Sequence, residues 1–185
     1  MNLKEIEYYC FLKEYSNINL KKISKIKNIS IIYCYNNRSN LEDLLSLEKF
    51  CNKNKIKLYI SNYSRKINFL KINGIHICSQ KKKQIYNLKN NLEIIGTVHN
   101  QLEYNRKKIQ GCNKIFLSNL FNTKKYSANT KLGINKFNLI SKHWNVKILA
   151  LGGINEKNLK KIQNLKVIGF GGVSFFKKEP HLVNN

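Results

Sequence analysis

The sequence predicts an α/β fold: a single-domain (βα)8 TIM barrel over residues 1–185, short and with reduced helices. Three observations predict it. Eight short apolar, β-branched or aromatic runs follow one another along the chain. Segments with helical spacing separate them, and such alternation demands parallel pairing, because parallel strands need a crossover. The glycines gather at the last two runs, where an eight-fold barrel often keeps a phosphate site. Eight units favour closure over an open doubly wound sheet, the alternative architecture.

The runs, in order, are Tyr8–Leu12, Ser30–Tyr35, Lys57–Ser61, Gly74–Cys78, Glu93–Gly96, Lys114–Leu117, Val146–Leu151 and Lys166–Gly169. After the second run, Leu41, Leu44, Leu45, Leu47 and Phe50 recur at three and four, as on one face of a helix. Ile67–Ile72, Ile85–Leu88, Leu102–Ile109, Phe137–Ile140 and Leu159–Ile162 are shorter stretches of the same kind. Eight units in 185 residues leave about 23 residues each, which is tight for this fold. Some helices must therefore be single turns, with Arg65–Ile72 and the last one the candidates.

Composition bounds the function. The formal net charge is +24, from 31 Lys and only 3 Arg against nine Glu and a single Asp, Asp43. A basic face suits a nucleic-acid binder, but arginine is the residue that forks onto phosphates and guanine edges. Lys, Asn and Ile make up 84 of the residues. Their codons are rich in A and T, so base composition alone enriches them. The expectation is non-specific attraction to polyanions at low salt. A hard divalent cation wants clustered carboxylates, and this chain has few and none clustered. The five cysteines are odd in number, widely spaced and without a CxxC pair, as expected of reduced thiols in a cytoplasm. No signal peptide is expected, since Met1–Leu12 lacks a basic region followed by a long apolar run, and no membrane span, since no apolar stretch approaches 18 residues.

Five of the nine glycines sit in Gly152-Gly153 and in Gly169, Gly171-Gly172. Glycine permits close backbone approach to a ligand. The segments Leu149–Asn155 and Gly169–Ser174 close the last two runs, with Asn155 and Ser174 available as helix caps. A phosphate site at Gly152, Gly153, Ile154, Gly171, Gly172, Val173 and Ser174 is the expectation; tight turns without a ligand are the plainer alternative.

These segments resemble the thiamine phosphate synthase and TenI-like family of βα barrels. Ile148–Asn155 resembles its I-x-A-x-G-G-I-x segment, and Gly169–Ser174 its G-V-A-V-I-S segment. Gly74–Ile77 is similar to G-V-H-L, Gly96–His99 to G-x-S-x-H less one residue, and Ile115–Lys125 to the strand-six loop G-P-I-F-x-T-x-T-K. The resemblance runs over roughly residues 8 to 180 and implies a thiazole-phosphate site at the last two loops. It also implies a magnesium ion held by two aspartates, and here the chain departs: those places read Asn62 and Lys81. An amide and an ammonium cannot replace two carboxylates on a hard cation, so no metal or other cofactor is expected. The family's Q-x-R-x-K grip reads Tyr33, Tyr35 and Asn37, with Arg38 one step off, and the histidine of TenI-type tautomerases reads Asn119.

Asn62, His99, Asn119, Thr123, Lys124 and Lys125 are the candidate substrate-binding residues that result. No catalytic residue is assigned. His99 is either a base or a hydrogen-bonded structural residue; His76 reads as core, His143 and His181 as surface. Cys34 and Cys78 lie near strand ends but read as buried thiols, and Tyr33, Tyr35 and Tyr63 cluster at the tops of strands two and three. Lys81–Lys83 is either a solvated helix start or an anion contact. The expected function is binding of a phosphorylated small molecule in thiamine biosynthesis or salvage, without magnesium-dependent synthase activity. One alternative is a working synthase in which lysines neutralise the pyrophosphate. The other is a non-enzymatic polyanion binder. Homo-oligomerisation is compatible with either.

Overall fold

A computed structural model describes residues 6–15, 20–36, 39–61, 63–64, 67–82, 92–123 and 131–176. Eight strands close into one parallel barrel in chain order. They are β1 (Glu7–Leu12), β2 (Ile29–Cys34), β3 (Lys57–Ser61), β4 (Gly74–Ile77), β5 (Glu93–Val98), β6 (Lys114–Leu117), β7 (Lys147–Leu151) and β8 (Gly169–Gly172). Closure is made by β1 against β8, with Glu7 opposite Gly169 and Cys10 opposite Gly172.

The helices are α1 (Leu20–Ile23), α2 (Leu41–Lys53), α3 (Gln101–Ile109), α4 (Gly133–Ser141) and α5 (Glu156–Leu159), which runs on as a 3-10 turn over Lys160–Asn164. The expected reduction is real: α1 and α5 have four residues each. Between β3 and β4, among the described residues, Ile67 is in a 3-10 conformation and a turn follows it over Asn68 and Phe69. The stretch Ile85–Leu88 lies outside the described residues. Local chemistry sets the two better helix starts. Asn40 accepts from the Glu42 N–H at 3.0 Å, and Asn100 accepts from the Glu103 N–H at 2.9 Å.

The strands are buried on both faces, as in an all-parallel barrel. Tyr9, Phe11, Ile32, Tyr59, Ile95, Phe116 and Leu149 fill the interior. Their alternate neighbours, such as Tyr8, Cys10 and Ile31, pack outward under the helices. Aromatic edges interlock inside, with Phe116 at 5.3 Å from Tyr9 and 5.4 Å from Phe11, centre to centre.

The last strand departs from the expected Lys166–Gly169. The glycine cluster is itself the strand, not the loop after it. Its composition follows from its neighbours. A Cβ on Gly169 would lie 2.0 Å from the Glu7 carbonyl oxygen, and one on Gly171 would lie 2.9 Å from both the Phe11 and Phe116 rings. The apolar Lys166–Ile168 segment mimics a strand because Val167 is buried beneath the sheet end.

Candidate site at the C-terminal mouth

The loops that follow β5, β6, β7 and β8 form one connected polar rim. At the end of β5, His99 donates its backbone N–H to the Glu103 carboxylate at 2.7 Å. Its Nδ1 lies 2.9 Å from the Ser118 carbonyl oxygen, beyond the end of β6. A carbonyl only accepts, so Nδ1 carries a proton, and in the neutral ring Nε2 keeps the lone pair. The geometry fixes the tautomer and leaves one nitrogen able to accept from a ligand.

The β6 loop is locked to the β7 turn. The Leu120 N–H donates to Leu151 at 2.9 Å and that of Phe121 to Gly152 at 3.0 Å. The Leu132 N–H returns to Asn119 at 2.8 Å. Gly152 and Gly153 have φ of 98° and 70°, in the left-handed region. A Cβ on Gly153 would stand 2.3 Å from the Asn122 oxygen, and one on Gly152 would stand 2.9 Å from the Asn119 Cα. The glycine pair is therefore demanded by contact with the β6 loop, a reason that spacing alone cannot reveal.

This turn leaves polar groups over. The backbone N–H groups of Gly153, Ile154, Val173 and Ser174 meet no acceptor among the described residues. The Thr123 hydroxyl is shielded from solvent and has no hydrogen-bond partner among the described residues. A shielded polar group is normally satisfied, so the Thr123 hydroxyl suits an oxyanion ligand, to which the neighbouring loop amides can add donors. Gly172 ends β8, next to β7 through the Leu151–Gly171 pair, and Val173 and Ser174 are exposed beyond it.

Asn119 and Thr123 thus fall on the rim with His99. Asn62, Lys124 and Lys125 lie outside the described residues, as do Asn37, Arg38, Lys83 and His181. Lys81 is exposed at the end of the β4 side of the mouth. Its backbone carbonyl accepts from Lys107 Nζ at 2.9 Å and Gln110 Nε2 at 3.1 Å. Lys107 went unnoticed in the sequence. It is 1 % exposed, and burial pushes its amine below the usual lysine range. Its signal is a place three residues after Tyr104 on the inward face of α3.

His76 is core, as expected. Ser61 Oγ lies 3.0 Å from Nδ1 and Thr97 Oγ1 lies 2.7 Å from Nε2. Burial, helped by the Lys107 charge, lowers its pKa to about 3, so the ring is neutral. Thr97 is therefore committed to the interior rather than to the rim. Burial also pushes the Cys34 thiol up, and those of Cys51 and Cys112 up to about 12, which removes nucleophilic thiolate there. A cavity of about 450 Å³ lies above β1 and β2 between Tyr33, Tyr35, Glu14 and Asp43. Tyr63 instead bonds Asn68 at 2.6 Å.

Two carboxylates at that cavity do not make a cation site. Among the described residues no three His, Cys, Asp or Glu side chains could hold a metal ion together. The magnesium site implied by the resemblance does not fit the described side: the residue on the β4 loop is an ammonium.

A sequence model of the thiamine monophosphate synthase family matches residues 33–176. The chain belongs to that family. A thiamine-phosphate synthase of Prochlorococcus marinus subsp. pastoris is 25 % identical over 132 residues, covering 70 % of this chain and 38 % of that protein. A second, from the SARG strain of Prochlorococcus marinus, is 36 % identical over 76 residues, covering 40 % of this chain and 22 % of the relative. The chain thus spans well under half the length of the curated relatives it matches. Among solved structures, thiamine phosphate pyrophosphorylase from Pyrococcus furiosus superposes with a TM-score of 0.73 at 13 % identity, over 98 % of this chain and 96 % of that one. The YdjI aldolase from Escherichia coli K12 superposes at 0.63 and 10 % identity, over 94 % and 77 %. At such identities the superpositions establish the barrel alone, while the family match takes in the loops after β5, β6, β7 and β8 that build this rim.

Proposed function

We propose that the chain binds a thiazole phosphate, or a similar phosphorylated small molecule, at the C-terminal mouth, and that it serves thiamine biosynthesis or salvage without normal magnesium-dependent synthase activity. The observation that carries the reading is the set of unpaired donors on adjoining loops. The amides of Gly153, Ile154, Val173 and Ser174 and the Thr123 hydroxyl would donate to phosphate oxygens. His99 Nε2 would accept from a donor on the organic part of the ligand. Membership of the thiamine monophosphate synthase family supports the ligand class. The ammonium of Lys81, in place of a metal-binding carboxylate, supports the loss of metal-dependent transfer.

No helix among the described residues is long and apolar enough to cross a membrane. The five free cysteines suit a reducing cytoplasm, where we place the protein. Its charge gives non-specific contact with nucleic acid only, so such binding should vanish at physiological salt.

Calorimetric titration with thiazole phosphate at physiological salt tests the reading. One saturable site weakened by Thr123→Val supports it; no heat of binding to the wild type overturns it. Incubation with both synthase substrates, with and without a chelator, then addresses the chemistry. No thiamine phosphate is expected, and metal-independent product would favour the lysine-based synthase.

A further inference from the structure

The opposite, N-terminal mouth of the barrel holds a second cavity, of about 620 Å³. Glu7 and Tyr9 line it, and Glu7 belongs to a buried charge network behind the cavity wall. Lys114, 3 % exposed, places Nζ 2.7 and 3.0 Å from the Glu7 carboxylate and 3.2 Å from that of Glu93. Tyr9 donates to Glu7 at 2.6 Å, and Tyr59 donates to Glu93. Glu7 accepts from Lys114 and Tyr9 and keeps acceptor capacity to spare toward the cavity, while the Lys57 charge also acts on Glu93.

The rim is basic. Lys27, Lys55 and Lys57 line it, and among the described residues none of them has a carboxylate within 4.0 Å. It also carries the two non-glycine residues with left-handed backbone among the described residues, Asn28 at φ 59° and Lys55 at φ 56°. Lys55 closes α2: the Ile56 N–H reaches back to Cys51 at 2.9 Å and its own N–H to Asn52 at 3.3 Å. That motif ordinarily takes glycine at this position. A lysine held there against its backbone preference presents its ammonium at the cavity edge. Residues in such conformations gather at ligand sites.

We propose that this mouth is a second binding site, separate from the phosphate rim, for a phosphorylated polyol of sugar-phosphate to mononucleotide size. The phosphate meets the ammonium groups of Lys27, Lys55 and Lys57, and ligand hydroxyls donate to Glu7. A cavity of this volume lies within the range of small-molecule sites. An inorganic anion satisfies the rim alone and leaves the Glu7 carboxylate unused.

Calorimetry with ribose 5-phosphate at 150 mM salt tests the proposal, with inorganic phosphate as the comparison. The wild type should bind ribose 5-phosphate at least tenfold tighter than phosphate at this mouth. Lys55→Gly relieves the left-handed backbone, so the variant should unfold at no lower temperature, yet bind at least fivefold more weakly. Lys57→Ser should weaken binding similarly, whereas Lys142→Ser, outside the cavity lining, should not. No preference over inorganic phosphate, equal weakening by Lys142→Ser, or loss confined to Thr123→Val at the other mouth would overturn it.

Discussion

Replacing Gly153 by alanine should cost far more than replacing Gly133, although both have φ near 70° (70° and 69°). A left-handed non-glycine residue costs about 1–2 kcal/mol at either place. At Gly133 a new Cβ meets nothing within 4 Å, so that cost is the whole effect. At Gly153 the Cβ would stand 2.3 Å from the Asn122 oxygen and 2.7 Å from the Phe121 carbonyl carbon. These are backbone atoms and cannot swing aside, so the β6 loop must retreat, adding about 1–3 kcal/mol of overpacking. The sum is about 2–5 kcal/mol, against roughly 1–2 for Gly133→Ala. In a domain of this size each kcal/mol shifts the melting temperature by about 2–4 °C. Calorimetric melts of the two variants read the difference. Loss of Thr123 alignment should also weaken phosphate binding in Gly153→Ala alone. Equal melting temperatures would show that φ, and not the β6 loop, demands this glycine.

Other outcomes follow from the same contacts. Lys55→Gly should stabilise the fold by about 0.5–1 kcal/mol, because glycine suits the left-handed position that ends α2; urea titration checks it. Lys114→Met should destabilise by about 3–5 kcal/mol, since it strands the Glu7 and Glu93 carboxylates, and a change under about 1 kcal/mol in chemical unfolding would contradict the network. His76 gives a pH signature. Burial holds its folded pKa at about 3, below that of the unfolded chain, so the unfolded state takes up the proton more readily. Its contribution is complete above about pH 6.5 and falls by up to about 1.4 kcal/mol per unit as pH drops toward 3. Unfolding free energies between about pH 6.5 and 4 should slope less in His76→Gln, and an unchanged slope would count against a neutral buried ring.

Much of the barrel was legible because its strands are made of β-branched and aromatic residues that reveal themselves singly. β2 reads Ile-Ser-Ile-Ile-Tyr-Cys, and no neighbour is needed to recognise it. β8 was legible only in part. Gly-Phe-Gly-Gly has almost no strand propensity, and it is a strand because the Glu7 backbone and the Phe11 and Phe116 rings fill the space its side chains would take. At the site, the glycine pair was legible as a turn, but the reason for it lies about 30 residues upstream in the β6 loop. Thr123 stood out by its place in that loop; its unpaired hydroxyl is a fact of packing. Lys107 was hidden because a lysine on a helix reads as solvated, whereas this one spends its protons on the Lys81 and Gln110 oxygens.

The proposed function stands or falls on a phosphorylated thiazole sitting where the Gly153, Ile154, Val173 and Ser174 amides and the Thr123 hydroxyl lack partners among the described residues. Calorimetric titration of thiazole phosphate into the wild type and into Thr123→Val, both at 150 mM salt, settles the matter. A single saturable site in the wild type, weakened about 10-fold or more on losing the hydroxyl, is the predicted result. Absence of binding, or equal affinity in the two proteins, would contradict it.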